Sequence, residues 1–230
     1  MAEKYHRLVL FDIDGTLIHC GPTPRRVFKQ ALIEVFGTAG PIEQWIFDGK
    51  TDPMIVRELM EAAGVSWDNE SIGRALDIYA ESVARELPLE TRRKVYPGVP
   101  ELLSELAGRP ALLGLLTGNV KKGARAKLES LKLWGHFAFG AFADDSAVRR
   151  ELADVAVRRA FELTGQRFAG KQIVIIGDTE HDMRCGKHLG VRAIGVGTAR
   201  STAQELLGHG ADRAFDDFSD FRAVARAIME

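Results

Sequence analysis

The sequence predicts an α/β fold: a parallel sheet with helices on both faces, interrupted near its start by a small all-helical insertion. Three observations carry this. Short apolar runs that end in a small or polar residue recur along the chain; stretches with helical spacing separate the later ones; and residues 20–92, between the first run and the next, carry helical patterns only.

Leu8 to Ile13 reads as a strand buried on both faces, stopping at an Asp-Gly-Thr turn. In the insertion, Val27, Ala31, Leu32 and Val35, then Ile55, Leu59 and Met60, then Leu76, Ile78, Tyr79 and Val83 recur at helical intervals. The core is therefore expected over 1–19 and 93–230, and a helical domain over 20–92. Tyr96-Pro97-Gly98-Val99-Pro100 marks the return, a turn followed by a helix start where proline is tolerated. Leu102, Leu103 and Leu106 continue that helix. Ala111 to Leu116 is the second strand, with Gly114 a weak point in it. Leu152, Val155, Ala156, Ala160 and Leu163 predict a helix before the strand Ile173 to Ile176, and Val191 to Val196 is a further strand. Trp134, Phe137, Phe139 and Phe142 read as packing between helix and strand. Strand and helix alternate from about Pro97 onward, as a parallel sheet requires.

Composition narrows the function. Hydrophobic residues are 46% and charged residues 27%, the balance of a chain that folds on its own. With 31 Lys+Arg against 32 Asp+Glu, the charge offers no long-range attraction for nucleic acid or an anionic membrane. No apolar stretch approaches the roughly 20 residues that span a bilayer, and the first residues lack the pattern of a signal peptide. Cys20 and Cys185 stand far apart without zinc-ligand spacing, which fits a reduced, cytoplasmic setting. His181 and His188 likewise lack such spacing and read as surface or packing residues.

The chemistry concentrates at strand ends. Asp12 and Asp14, two residues apart in Phe11-Asp12-Ile13-Asp14-Gly15-Thr16-Leu17, share one face of an extended strand, and the carboxyl ends of parallel strands are where open α/β sheets bind ligands. The repulsion between two such acids is relieved by a divalent cation, and hard cations such as Mg²⁺ prefer oxygen ligands. Leu115-Leu116-Thr117-Gly118-Asn119 ends the second strand with a hydroxyl and free N–H groups able to hold a phosphoryl oxygen; alone, it reads equally as a turn and helix cap. Gly177-Asp178-Thr179-Glu180-His181-Asp182 ends a third strand with acids one helical turn apart; capping accounts for one of them, not both.

In that order these segments resemble the motifs of the haloacid dehalogenase-like hydrolases, and within them the phosphoglycolate phosphatase-like group. The resemblance covers essentially the whole chain. It implies a Rossmann-like core, a helical cap of the C1 kind at 20–92, and a magnesium-dependent phosphatase acting on a small phosphorylated metabolite, phosphoglycolate being the favoured one. By matched position Asp12 is the expected nucleophile and Asp14 the general acid/base, with Asp12, Asp14 (through its carbonyl), Asp178 and Asp182 around the metal, and Thr117, Gly118 and Asn119 on the phosphate. The sequence departs from the pattern at the third motif. No Lys-Pro lies between Thr117 and Asp178, so Arg149 is favoured there, with Arg150, Lys121 and Lys122 as alternatives; an arginine can fork onto phosphate and carboxylate. Phe47-Asp48-Gly49-Lys50-Thr51-Asp52 resembles a cap loop that reaches the active site, where Lys50 either meets the acidic end of a substrate or stands exposed in a turn. A mutase resembling β-phosphoglucomutase and a non-catalytic phosphate-binding module are the other readings of the fold. The expected partner is a small molecule, with the chain a monomer or homodimer.

Overall fold

The computed structural model describes residues 4–230; residues 1–3, where the expected core segment begins, lie outside the described residues. Strand β1 (Arg7–Phe11) is central, with β4 (Ala111–Leu116) on one side and β6 (Ile173–Gly177) on the other. Beyond them stand β5 (Phe139–Ala141) next to β4, and β7 (Arg192–Val196) followed by β8 (Arg213–Phe215) next to β6, all pairs parallel.

The apolar runs are strands because both faces of this sheet are covered. Side chains alternate between two cores. Val9, Phe11, Leu113, Leu115, Val174 and Ile176 enter one core with α4 (Val99–Ala107) and α9 (Phe221–Met229). Leu8, Leu10, Leu112, Leu116, Ile173 and Ile175 enter the other, against α6 (Arg149–Thr164) and Cys185 of α7 (Glu180–Leu189). The buried face of α6 is Arg149, Leu152, Ala153, Ala156 and Ala160. Leu163, expected on that face, is 54% exposed, so the stripe is rotated toward Ala153 relative to the sequence reading. Gly114 is no weak point: the Phe139 ring fills the space its Cβ would need, 2.6 Å away.

Two strands of the six-stranded sheet, β5 and β8, escape the sequence pattern because each has only three residues and no apolar run. Helices α5 (Lys121–Glu129) and α8 (Ala203–Gly208) complete the alternation.

Between β2 (Ile18–His19) and β3 (Lys94–Val95) the regular elements are helical: α1 (Thr23–Phe36), α2 (Asp52–Ala62) and α3 (Asn69–Glu86), with short 3₁₀ turns. Val27, Phe28, Leu32, Ile55, Leu59, Tyr79 and Val83 form their shared interior, where Phe28 meets Tyr79 edge-on at 4.9 Å. Asp68 caps α3 reciprocally with Ser71, and Thr51 caps α2. The segment enters and leaves as an antiparallel pair, Ile18 opposite Val95 and His19 opposite Lys94. Among the described residues no helix is long and apolar enough to cross a membrane.

Candidate active site

Because β4, β1 and β6 are neighbours and parallel, the residues that follow their carboxyl ends converge. Asp12 follows β1, Thr117 follows β4 and Asp178 follows β6; all are buried, with Asp182 in the first turn of α7. One carboxylate oxygen from each of Asp12, Asp178 and Asp182 lies within 4.8 Å of the others. Gly15 makes the approach possible. Its φ of +85° suits glycine, and a Cβ there would come 2.3 Å from Oδ2 of Asp178. Thr16 then donates its hydroxyl to Asp178 Oδ1 at 2.8 Å.

Arg149, the first residue of α6, reaches into this cluster. Its Nη2 lies 3.0 Å from Asp12 Oδ1 and 2.6 Å from Asp182 Oδ1. Asp182 Oδ2 accepts the Thr179 N–H and O–H, at 3.1 and 2.6 Å, so both oxygens of Asp182 are engaged. Arg150, Lys121 and Lys122 are exposed, and Lys122 pairs with Asp77. Helical phase separates the two arginines, because Arg149 is in register with Leu152, Ala153 and Ala156 whereas Arg150 is not.

On the other side of Asp12, Asp14 Oδ2 accepts from Asn119 Nδ2 at 2.8 Å and from the Lys127 ammonium at 2.7 Å. Asn119 Nδ2 also donates to Thr117 Oγ1, at 2.8 Å. Lys127 belongs to α5 and escaped the sequence reading. Its one sequence signal is helical phase, since it falls on the face of Gly123, Ala124 and Leu128, which are buried.

The insertion closes the site. Asp52 N–H donates to Gly118 O at 2.7 Å and its Oδ2 accepts the Val120 N–H at 2.8 Å, while Thr51 Oγ1 donates to Ala147 O at 2.7 Å. Lys50 lines the same cavity of about 600 Å³ as Asp12, Asp14, Thr117, Arg149 and Asp178. Its ammonium is neither exposed nor aimed at the acids. It pairs with Glu58 and lies 5.5 Å over the Trp45 ring. His181 packs beside Gly49, and His188 pairs with Asp154 at the surface.

The electrostatics are uneven. Burial raises Asp12 to about 6; Arg149 opposes this, while Asp182 and Asp14 add to it. Burial, then Asp12 and Asp182, push Asp178 well above the carboxylate range. Burial works to raise Asp14 as well, but Lys127 and Asn119 outweigh it and the group is lowered. Among the described residues no Lys, Arg or His forms an ion pair with Asp178, whereas Arg149 serves Asp12 and Asp182. Buried oxygens with less positive charge than they require are the donor set of a hard divalent cation, so these residues fit Mg²⁺.

Residues 9–196 match the family described as haloacid dehalogenase-like hydrolase. The chain belongs to that family. Among curated relatives of this haloacid dehalogenase-like hydrolase, a protein of Dickeya dadantii named "Probable phosphatase IndB" is 27% identical over 225 residues, covering 97% of this chain and 95% of its own length. A phosphoglycolate phosphatase of Pseudomonas fluorescens is 26% identical over 196 residues, covering 83% of this chain and 69% of its own. A solved hydrolase structure from Pseudomonas syringae superposes with a TM-score of 0.74 over 97% of this chain and 99% of that one, at 21% identity, a likeness of fold.

Proposed function

We propose that this hydrolase is a Mg²⁺-dependent phosphatase of a small phosphorylated metabolite, phosphoglycolate being the favoured one, working through an aspartyl-phosphate on Asp12. One observation carries the reading: Asp12, at the end of the central strand, is flanked by Arg149 at 3.0 Å and by two further buried acids. Relatives named phosphoglycolate phosphatase support the substrate class.

In the first step an Asp12 oxygen attacks phosphorus, the ester P–O bond breaks, and Asp14 gives its proton to the departing oxygen. Water then attacks the acyl phosphate, its proton returns to Asp14, and Asp12 is released as a carboxylate. The Thr117 hydroxyl and the N–H groups of Gly118 and Asn119 hold phosphoryl oxygens. Arg149 offsets their charge, and its buried Nε, which has no hydrogen-bond partner among the described residues, remains to donate. Asp12, Asp178 and the carbonyl of Asp14 would hold Mg²⁺, with Asp182 beside them; bound there, the ion supplies positive charge to the phosphoryl group. Residues 20–92 act as the cap, and Lys50, exchanging Glu58 for substrate, meets the substrate's acidic end. The free, buried thiols of Cys20 and Cys185 support a reducing, cytoplasmic setting.

The test is phosphate release from a panel of phosphorylated metabolites with Mg²⁺, comparing wild type with Asp12→Asn. Release by the wild type and a loss of at least about a thousandfold in the variant are expected. Release that persists in the variant removes Asp12 as nucleophile, and interconversion of hexose phosphates with no phosphate set free makes the enzyme a mutase.

A further inference from the structure

Lys127 is a lysine with 5% of its side chain exposed, beneath a helical insertion and beside the reaction centre. A buried ammonium is costly unless paired, and nothing about α5 demands one, because its buried neighbours Gly123, Ala124 and Leu128 form an ordinary apolar face. The ammonium donates to Asp14 Oδ2 at 2.7 Å and to Asn119 Oδ1 at 2.5 Å. Asn119 donates to the same Asp14 oxygen at 2.8 Å and to Thr117 at 2.8 Å. Both donors therefore fall on Oδ2 and neither on Oδ1, fixing the carboxyl by one edge while 40% of the Asp14 side chain stays open to the cavity. The arrangement mirrors the other side of the site, where Arg149 holds Asp12.

We infer that Lys127 is a positioning residue: together with Asn119 it clamps Oδ2 of Asp14 and so holds the carboxyl for proton transfer to and from the departing group. This rests on the proposed phosphatase reaction, in which Asp14 protonates the leaving oxygen as the P–O bond breaks and regains a proton from water in the second step. Lys127 touches no reacting atom. Thr117 is held by Asn119 through its own amide, at 2.8 Å, and not by Lys127. The clamp is local to the acid and leaves Asp12 to Arg149.

A leaving group that is stable as an anion needs no proton, so the clamp matters little for an aryl ester and much for an alkyl ester. The experiment compares kcat/KM, which reports the first chemical step, for p-nitrophenyl phosphate and for 2-phosphoglycolate in wild type, Lys127→Met and Lys127→Arg. The loss in Lys127→Met is expected to be at least about tenfold larger on the alkyl ester, with Lys127→Arg recovering most of it. In the Asp14→Asn background Lys127→Met adds no further loss. Equal losses on both esters, or losses that multiply in the double variant, overturn the assignment; the same ratios are read on Lys127→Gln should Lys127→Met fail to fold. A wild type that releases phosphate from no ester of the metabolite panel fails the phosphatase reading instead, and the best alkyl ester of that panel replaces 2-phosphoglycolate where the two differ.

Discussion

Nη2 of Arg149 stands 3.0 Å from Oδ1 of Asp12, both side chains buried at the end of the central strand. The same nitrogen serves Asp182, so removing the guanidinium strands two acids in the interior at once. Breaking a buried pair from one side typically costs about 3–5 kcal/mol. Arg149→Met is therefore expected to lose stability of that order in urea unfolding, and phosphatase activity by roughly a hundredfold or more. Arg149→Lys, a point charge without the fork, should recover stability better than activity.

Asp178 has the opposite problem, a buried carboxylate with Thr16 as its hydroxyl donor and no ion pair among the described residues. A divalent cation should relieve it. Millimolar Mg²⁺ is expected to raise the melting temperature of the wild type, and Asp178→Asn to abolish that rise whatever its own activity, as read by calorimetry. An unchanged Mg²⁺ shift in the variant would put the ion elsewhere.

Asp52 makes stability depend on pH. Burial raises its pKa from 3.8 to about 6, against the opposing pull of Lys127 and the Val120 N–H. Ionising it therefore opposes folding. The penalty is absent below the unfolded value, grows as pH rises from there toward 6, and is complete above. Its ceiling is on the order of 3 kcal/mol. Asp52→Asn keeps a carbonyl to accept the Val120 N–H, so it should melt higher than wild type at pH 7.5, and the difference should vanish near pH 4. A gap that stays constant with pH would refute this.

Gly118 is where the insertion rests on the core: a Cβ at this position would lie 2.1 Å from Lys50 O. Gly118→Ala must push the loop 47–52 away from the site. Since a displacement of about 1 Å at a positioning group can cost a hundredfold, kcat/KM should fall at least about tenfold, and the melting temperature should fall with it, because the displaced loop gives up the buried bonds of Asp52 to Gly118 and Val120. Similar activity with alanine would show that the loop does not need this seat.

What the sequence makes legible follows from burial. β1, β4, β6 and β7 declare themselves because strands covered on both faces must be apolar throughout, and the acids that end them stand out against those runs. β5 and β8, at the sheet edges, are too short for any pattern. Arg149 is recoverable from the phase of its helix. Lys127 is harder: in Lys121-Lys122-Gly123-Ala124-Arg125-Ala126-Lys127 three other cations face solvent, and its phase with Gly123, Ala124 and Leu128 places it on the buried face without telling what covers that face. Lys50 is the reverse case. Its loop is recognisable, but the carboxylate of Glu58, nearly two turns into α2, and the ring of Trp45 engage its charge through contacts no local pattern encodes.

The ladder between Ile18–His19 and Lys94–Val95 brings the start and finish of a long excursion side by side. The two ends of the excursion thus lie one strand spacing apart, so what the intervening helices add to the molecule is cover and lining over Asp12, with no extra distance between the strands they interrupt.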